Sequence, residues 1–538
     1  DVYKRQPVYS PYQFNRDGSQ STKLSSVDEL GVGNPISLVD LSVGLSKKYR
    51  FNINALPSYS FTDKLKVGLM FSYTWDKLNE EYFKPSEGLA EQPLVNENGE
   101  IYAYSRNMVK NSMAKQTSIH WNAFVDWSPI RNSVHNLDLT GGYRFFSDNL
   151  ESNYGEGHNT SSDRMNSLSN TTSSLRSTSG TTENWRSMSW YFNADYKYQN
   201  RYLLNVVAAM DASSRFGKEA EGALKMGGLA WGIFPSVSAG WIVSSEEFMK
   251  DISWLDMLKL KGSWGTLGNQ NLSTAYPAEP LLKNAYSAIF GKPSIIYPGY
   301  QLAYLPNPNL RWEKVEAWEV GFETNMLRNR LHLEGVFYKK NTKDLLAEVP
   351  GISGTIPGIG NLGEIRNSGV ELAATWRDQI GDWGYSVSAN LTTISNKVKS
   401  LVQEGYSIIA GDKSQSYTMA GYPIGYFYGY KVDGVYQSPE DIASSPTNTL
   451  ATVTPGDLKF KDVNGDGKIT PEDRTMIGDP TPDVTYGISL GVSYKNWDLS
   501  VEMMGQGGNQ IYRTWDNYTF AQFNYMAPVS YTHLTLPT

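Results

Sequence analysis

Between residues 461 and 474 the chain reads KDVNGDGKITPEDR, a run of oxygen-bearing side chains spaced to wrap a hard cation. Asp462, Asn464 and Asp466 stand at positions 1, 3 and 5 of an EF-hand-type loop. Gly467 at position 6 allows the sharp turn. Lys468 at position 7 offers its backbone carbonyl, because its ammonium repels a cation. Thr470 stands at position 9. Asp473 closes the run at position 12, where Glu is usual, and its shorter arm weakens bidentate coordination. Ca2+ is the expected ligand of these six residues. A hydrated Asn/Asp/Gly turn is the plain alternative. A calcium switch would need two flanking helices to swing. Upstream, GDLKFK alternates like a strand, and downstream PEDRTMIGDPTPD has room for one helical turn before its prolines. The expected role of calcium is therefore structural.

Other chemistry is sparse. There are no cysteines, which removes disulfides, thiolate metal sites and cysteine nucleophiles. His120, His135, His158, His332 and His533 show no metal-ligand spacing. No G-x-S-x-G, H-E-x-x-H or phosphate-binding loop occurs, so no catalytic residue is assigned and the chain is not expected to be an enzyme. Net charge is −7 with both signs scattered, and no basic stripe marks nucleic acid as a partner. Tyr286, Tyr297, Tyr300 and Tyr304 lie in one long polar stretch. Their flat rings could stack on sugars, and packing within the loop is the competing role.

The elements that carry these residues alternate with period two. In NLDLTGGYRFF, Leu137, Leu139, Tyr143 and Phe145 share one face, with Asp138, Thr140 and Arg144 on the other. RLHLEGVFYKK, YSVSANLTTIS and DLSVEMMGQ repeat the pattern. Each run has about ten residues, the length a tilted strand needs to cross a bilayer, against about 5–6 in globular proteins. Roughly fourteen such strands fit a large membrane barrel. Tight turns are expected near Thr62–Asp63, Pro129–Asn132, Gln199–Asn200, Arg328–Asn329 and Ile380–Asp382. Long polar excursions are expected over 149–184, 268–314 and about 398–484. Short turns alternating with long loops, and aromatic residues at strand ends, suit an outer-membrane barrel. A soluble all-β array is the alternative on pattern alone.

Several stretches resemble the SusC/RagA family of TonB-dependent outer-membrane transporters. NADYKYQNRYLLNVVAAMDASSRFG (193–217) is similar to the family's strand pair closed by D-x-S-S-R-F-G. FPSVSAGWIVSSEEFM, LDMLKLKGSWGTLGNQNL and NLGEIRNSGVELAATWR follow in family order. AGYPIGYFYGYKVDGVYQSPED and PGDLKFKDVNGDGKITPEDRTMIGDPTPDVTYGISL match its late-barrel signatures. The resemblance implies a transmembrane antiparallel barrel of 22 strands around an N-terminal plug. It implies a SusD-like lipoprotein partner, energy from TonB-ExbB-ExbD, and import of glycans or peptides across the outer membrane. Only part of that whole is expected here: residues 7–528 read as barrel. Residues 1–6 and 529–538 resemble adapter-derived sequence. The plug, TonB-box, signal peptide and terminal strands are not seen. A secreted calcium-stabilised β protein that binds or degrades polysaccharide, and a passive porin, are the alternative functions.

Overall fold

The computed structural model describes residues 10–25, 33–96, 99–290, 295–349, 358–402, 405–411 and 414–512. The stretches 1–6 and 529–538 that resemble adapter-derived sequence, and His533, lie outside these residues.

Fourteen strands form one continuous antiparallel wall. They are β1 (Val43–Ala55, resumed at Ser58–Thr62), β2 (Leu65–Lys84), β3 (Met108–Arg131), β4 (His135–His158) and β5 (Arg176–Tyr198). Then follow β6 (Tyr202–Ser213), β7 (Leu229–Ile242), β8 (Leu255–Asn269), β9 (Glu313–Met326) and β10 (Leu331–Lys343). The wall ends with β11 (Gly363–Ile380), β12 (Trp383–Thr393, resumed at Ser395–Leu401), β13 (Val484–Tyr494) and β14 (Trp497–Gly507). Each strand pairs with the next. Among the described residues no pairing joins β14 to β1, and nearly every residue of both strands is exposed. They are the edges of a barrel wall.

The register explains the alternation. Apolar side chains meet apolar side chains across successive strands: Phe71 with Trp121, Trp127 with Leu139, Tyr143 with Trp190. The same face continues through Leu204 with Ala239, Leu260 with Phe322, Phe337 with Val370 and Leu490 with Val501. Many of these large side chains are exposed, which only lipid makes tolerable over so wide a patch. The opposite face carries ions and amides. Lys259 pairs with Glu323, Lys261 with Glu334 and Lys340 with Glu319. Asn205 bonds Asn193 at 2.7 Å and Asp195 at 2.8 Å. The four alternating runs read in the sequence all fall on the faces expected.

Two aromatic levels bound the apolar band. Trp121, Tyr143 and Trp190 form one, with ring centroids 5.2 and 4.5 Å apart. Tyr198, Tyr202 and Trp241 belong to the other, beside the short turns. Trp190 and Tyr198 lie on one strand, about 26 Å apart at the rise of an extended chain, less when tilted. At the 35–45° tilt of such strands that is roughly 20 Å of membrane height, of the order of the roughly 25 Å apolar band between aromatic girdles.

The turns behave as expected. Gln199 and Asn200 both have φ of 52°, the left-handed pair that a two-residue hairpin turn demands. One excursion is different. Residues 149–184 are mostly strand, because β3, β4 and β5 run 24, 24 and 23 residues and only 159–175 connects β4 to β5. The Ser, Thr and Asn composition that reads as a loop is that of strand ends wetted on both faces. These strands stand well beyond the membrane, which about 9–11 residues suffice to cross.

The face assignment makes a prediction. Leu490 faces outward midway along β13, and its neighbour Ser489 faces inward. In the full-length protein Leu490→Arg should cost about 2–4 kcal/mol of barrel stability in denaturant titrations, and Ser489→Arg much less. The reverse order would exchange the two faces.

Candidate functional site: the outer mouth and its loops

The long loops gather at the end of the wall opposite the short turns. The D-x-S-S-R-F-G segment starts on β6 and steers the first of them. Phe216 is buried with Phe234, Leu310 and Trp312, its ring 4.5 Å from that of Trp312. The Gly217 amide donates to the Leu310 carbonyl at 2.9 Å. A Cβ at Gly217 would come within 1.7 Å of the Pro308 carbonyl oxygen, so only glycine allows this approach. Arg215 lies 4.1 Å from the centre of the Trp185 ring and donates to the Gln270 carbonyl at 3.2 Å. The signature thus clamps the loop after β6 onto the loop between β8 and β9.

A second set of contacts extends the clamp. Glu313 accepts from the Asn269 side chain and from the Leu346 amide, both at 2.9 Å. Arg311 pairs with Asp344 at 2.7 Å. The Asn361 amide donates to the carbonyls of Arg311 and Asp344, both at 2.9 Å. The loops after β8 and β10 are thereby tied to one core.

The tyrosine candidates divide. Tyr286, Tyr297 and Tyr300 lie on a hairpin, Leu282–Phe290 against Ile295–Leu302. The side chains of Tyr286 and Tyr297 lie outside the described residues. Tyr300 is 63% exposed and available to a ligand. Tyr304 instead donates to the Tyr276 carbonyl, and burial raises its pKa. It packs within the loop.

The calcium-type run lies in the loop between β12 and β13, and its oxygens are used internally. Asp462 accepts the amides of Gly465 at 2.7 Å and Gly467 at 2.8 Å. Asn464 accepts the Asp466 amide at 3.0 Å, and Asp466 accepts the Lys468 amide at 2.8 Å. Asp473 is fully buried. Its two oxygens accept the amides of Val463 at 2.8 Å and Thr470 at 2.7 Å, and Thr470 caps the short turn Pro471–Asp473. The donor set is all hard oxygen, which suits Ca2+. Yet Asp473 is committed to the backbone, and among the described residues no three acidic or histidine side chains are grouped to hold a metal. Ile469 is fully buried beneath the loop. Nearby, Tyr426 is buried among Tyr422, Tyr428 and Tyr417, and its pKa is pushed up to about 12, first by burial.

Strand pairing also makes one cluster that sequence spacing hid. His158 places Nδ1 2.8 Å from Ser105 Oγ and Nε2 3.0 Å from Glu156. This has the order of a hydrolytic triad, but Ser105 is buried with its hydroxyl 3.3 Å from the Asn107 carbonyl. The trio ties the loop after β2 to the end of β4. His332, in β10, bonds Asn325 of β9 at 2.7 Å.

Asp473 makes a pH prediction. Amide donors, first that of Thr470, hold its pKa below the ordinary value. Its stabilisation is therefore full above the unfolded value of about 3.9 and is lost as pH falls through the folded one. Hydrogen exchange at the Val463 and Thr470 amides, corrected for intrinsic rates, should stay protected at pH 5 and weaken only in stronger acid. Asp473→Ala should remove the protection at every pH. Unchanged protection in that variant would refute the clip.

A sequence model described as TonB dependent receptor-like, beta-barrel, matches residues 3–536. TonB-dependent receptor P3 of Formosa agariphila is 28% identical over 95% of this chain and 49% of its own. TonB-dependent receptor SusC of Bacteroides thetaiotaomicron is 29% identical over 60% of this chain and 31% of its own. The chain spans about half the length of the full-span relatives it matches. A structure of the RagAB peptide importer superposes with a TM-score of 0.73 at 19% identity, over 93% of this chain and 52% of that one. The chain belongs to the TonB-dependent receptor-like β-barrel family of the outer membrane, and its relatives include SusC.

Proposed function

We propose that the chain forms about half of an outer-membrane importer of the SusC/RagA kind, which takes up glycans or peptides by TonB-dependent transport. The observation that carries this reading is the mouth: signature residues lock several long loops into one body above a polar inner wall. A passive porin needs an open lumen and no such fixed assembly. A secreted protein would have no use for a continuous apolar outer face. A SusD-like lipoprotein is the natural partner for the outer mouth, and TonB-ExbB-ExbD supplies the energy through the rest of the protein. Of Tyr300 and Tyr304, the two whose side chains are described, Tyr300 is the better placed to meet substrate.

Calcium belongs to this reading as a loop clip. Asp462, Asn464 and Asp466, with the Lys468 carbonyl and Thr470, supply its oxygens, while Asp473 keeps its hold on the backbone. Calorimetry on the full-length protein should then show calcium binding that Asp466→Ala abolishes. Binding that survives Asp466→Ala would remove the clip from the account.

The test of function is uptake by cells that carry the full-length protein. Radiolabelled oligosaccharide or peptide should accumulate against its gradient, and deletion of TonB should stop it. Gly217→Ala should reduce uptake several-fold by forcing the Pro308 carbonyl away, with the barrel still assembled in the membrane. Accumulation that does not depend on TonB would select the porin.

A further inference from the structure

A cavity of about 460 Å³ opens on the inner face beneath the clamped loops. That is within the range of small-ligand pockets, roughly 300–1,000 Å³. Its lining includes Ser118, His120, Arg144, Phe146, Trp185 and Gln270. The first five come from β3, β4 and β5, one residue away from the outer aromatic level or a few beyond it. Gln270 comes from the loop that Arg215 holds.

Three features point to a ligand. Arg144 is exposed to the cavity side of the wall and makes no ion pair among the described residues; its guanidinium lies 5.4 Å from the Tyr191 ring. The Gln270 side-chain oxygen is buried with no hydrogen-bond partner. The Phe146 and Trp185 rings lie 4.9 Å apart beside them, with the His120 ring 6.4 Å from Phe146. The nearest acids are already engaged. Asp148 accepts from Gln116 at 3.0 Å and from Ser118 at 2.5 Å. Asp211, on the same face, is bonded by Ser189 and interacts with the Arg144 charge without a direct ion pair. An exposed cation with no direct ion pair, beside flat rings and a free acceptor, fits an anion attached to a body with an apolar face and a donor hydroxyl or amide.

We infer that this cavity is a subsite for a carboxylate-bearing substrate, with Arg144 binding the carboxylate, Phe146 and Trp185 packing the adjoining residue, and Gln270 accepting from it. The inference rests on the importer reading and adds the charge class of its cargo. A uronic-acid sugar and a peptide C-terminus carry the same chemistry.

The experiment measures binding to the full-length protein by calorimetry. The probes are short oligogalacturonides, their carboxyl-reduced counterparts, and short peptides with free or amidated C-termini. The carboxylate form of one series should bind, and Arg144→Gln should weaken it about tenfold or more, the worth of a charge-assisted hydrogen bond. The reduced or amidated form should bind weakly and be indifferent to Arg144→Gln. Trp185→Ala should weaken both forms. Which series responds identifies the source of the carboxylate. Equal loss for charged and neutral probes, no loss at all, or a fall in thermal stability with unchanged binding would overturn the subsite. If TonB-dependent uptake of neutral probes persists in cells, the importer reading survives that result. If no uptake depends on TonB, the importer reading fails by itself.

Discussion

A backbone amide or carbonyl left unpaired in hydrocarbon costs several kcal/mol, and the structure is organised by that penalty. Fourteen strands in successive antiparallel pairing, with register shifts in several of the pairs, leave only the outer sides of the two edge strands without a partner strand among the described residues. Once pairing is fixed, side-chain period two follows, and one sheet acquires a lipid face and a water face. The apolar ladder from Phe71 to Val501 and the ion pairs of Lys259, Lys261 and Lys340 are the two consequences of one ladder of hydrogen bonds. Among the described residues the outer sides of β1 and β14 are the two without a paired strand.

Above the membrane the penalty disappears, and other devices take over. Water can satisfy loop amides, so loops there fold only if they bury something. Phe216, Leu310 and Trp312 supply that buried centre. Gly217 sets the approach, and Arg215, Glu313 and Asn361 convert loop carbonyls and amides into fixed contacts. The loop of Asp462–Asp473 follows the same logic on a smaller scale, with a buried carboxylate in place of a buried ring. Fixed loops over a polar lumen can present a ligand to one place on the wall, which is where Arg144 and Trp185 lie.

Much of the wall was legible in the sequence, because alternation is a local signal. Leu137, Leu333, Val387 and Val501 each announce their face from their two neighbours. The tight turns at Gln199–Asn200 and Ile380–Asp382 were equally local. Composition misled where its meaning changes with solvent. Ser152 and Thr178 lie in strands that water bathes, yet their types suggest a loop. The roles of the signature residues were out of reach, since Gly217 and Pro308 meet across a loop that no spacing rule measures. Ser105 and His158 come together only through the pairing of β3 with β4. For the calcium-type run, spacing gave the residue types but not the backbone amides their oxygens accept. Asp473 occupies the twelfth position and turns inward to the Val463 and Thr470 amides, which spacing alone does not reveal.

The absence of cysteine allows a direct measurement of the central claim, that register alone separates lipid from water. Single cysteines can be placed in turn along β13, from Val484 to Tyr494, in the full-length protein in membranes. A charged maleimide that cannot enter lipid then reports each position. Within the apolar band, modification should alternate, with Ser489 and Gly491 reactive and Ile488, Leu490 and Val492 protected. Uniform reactivity along the strand, or protection of the odd positions instead, would contradict the account.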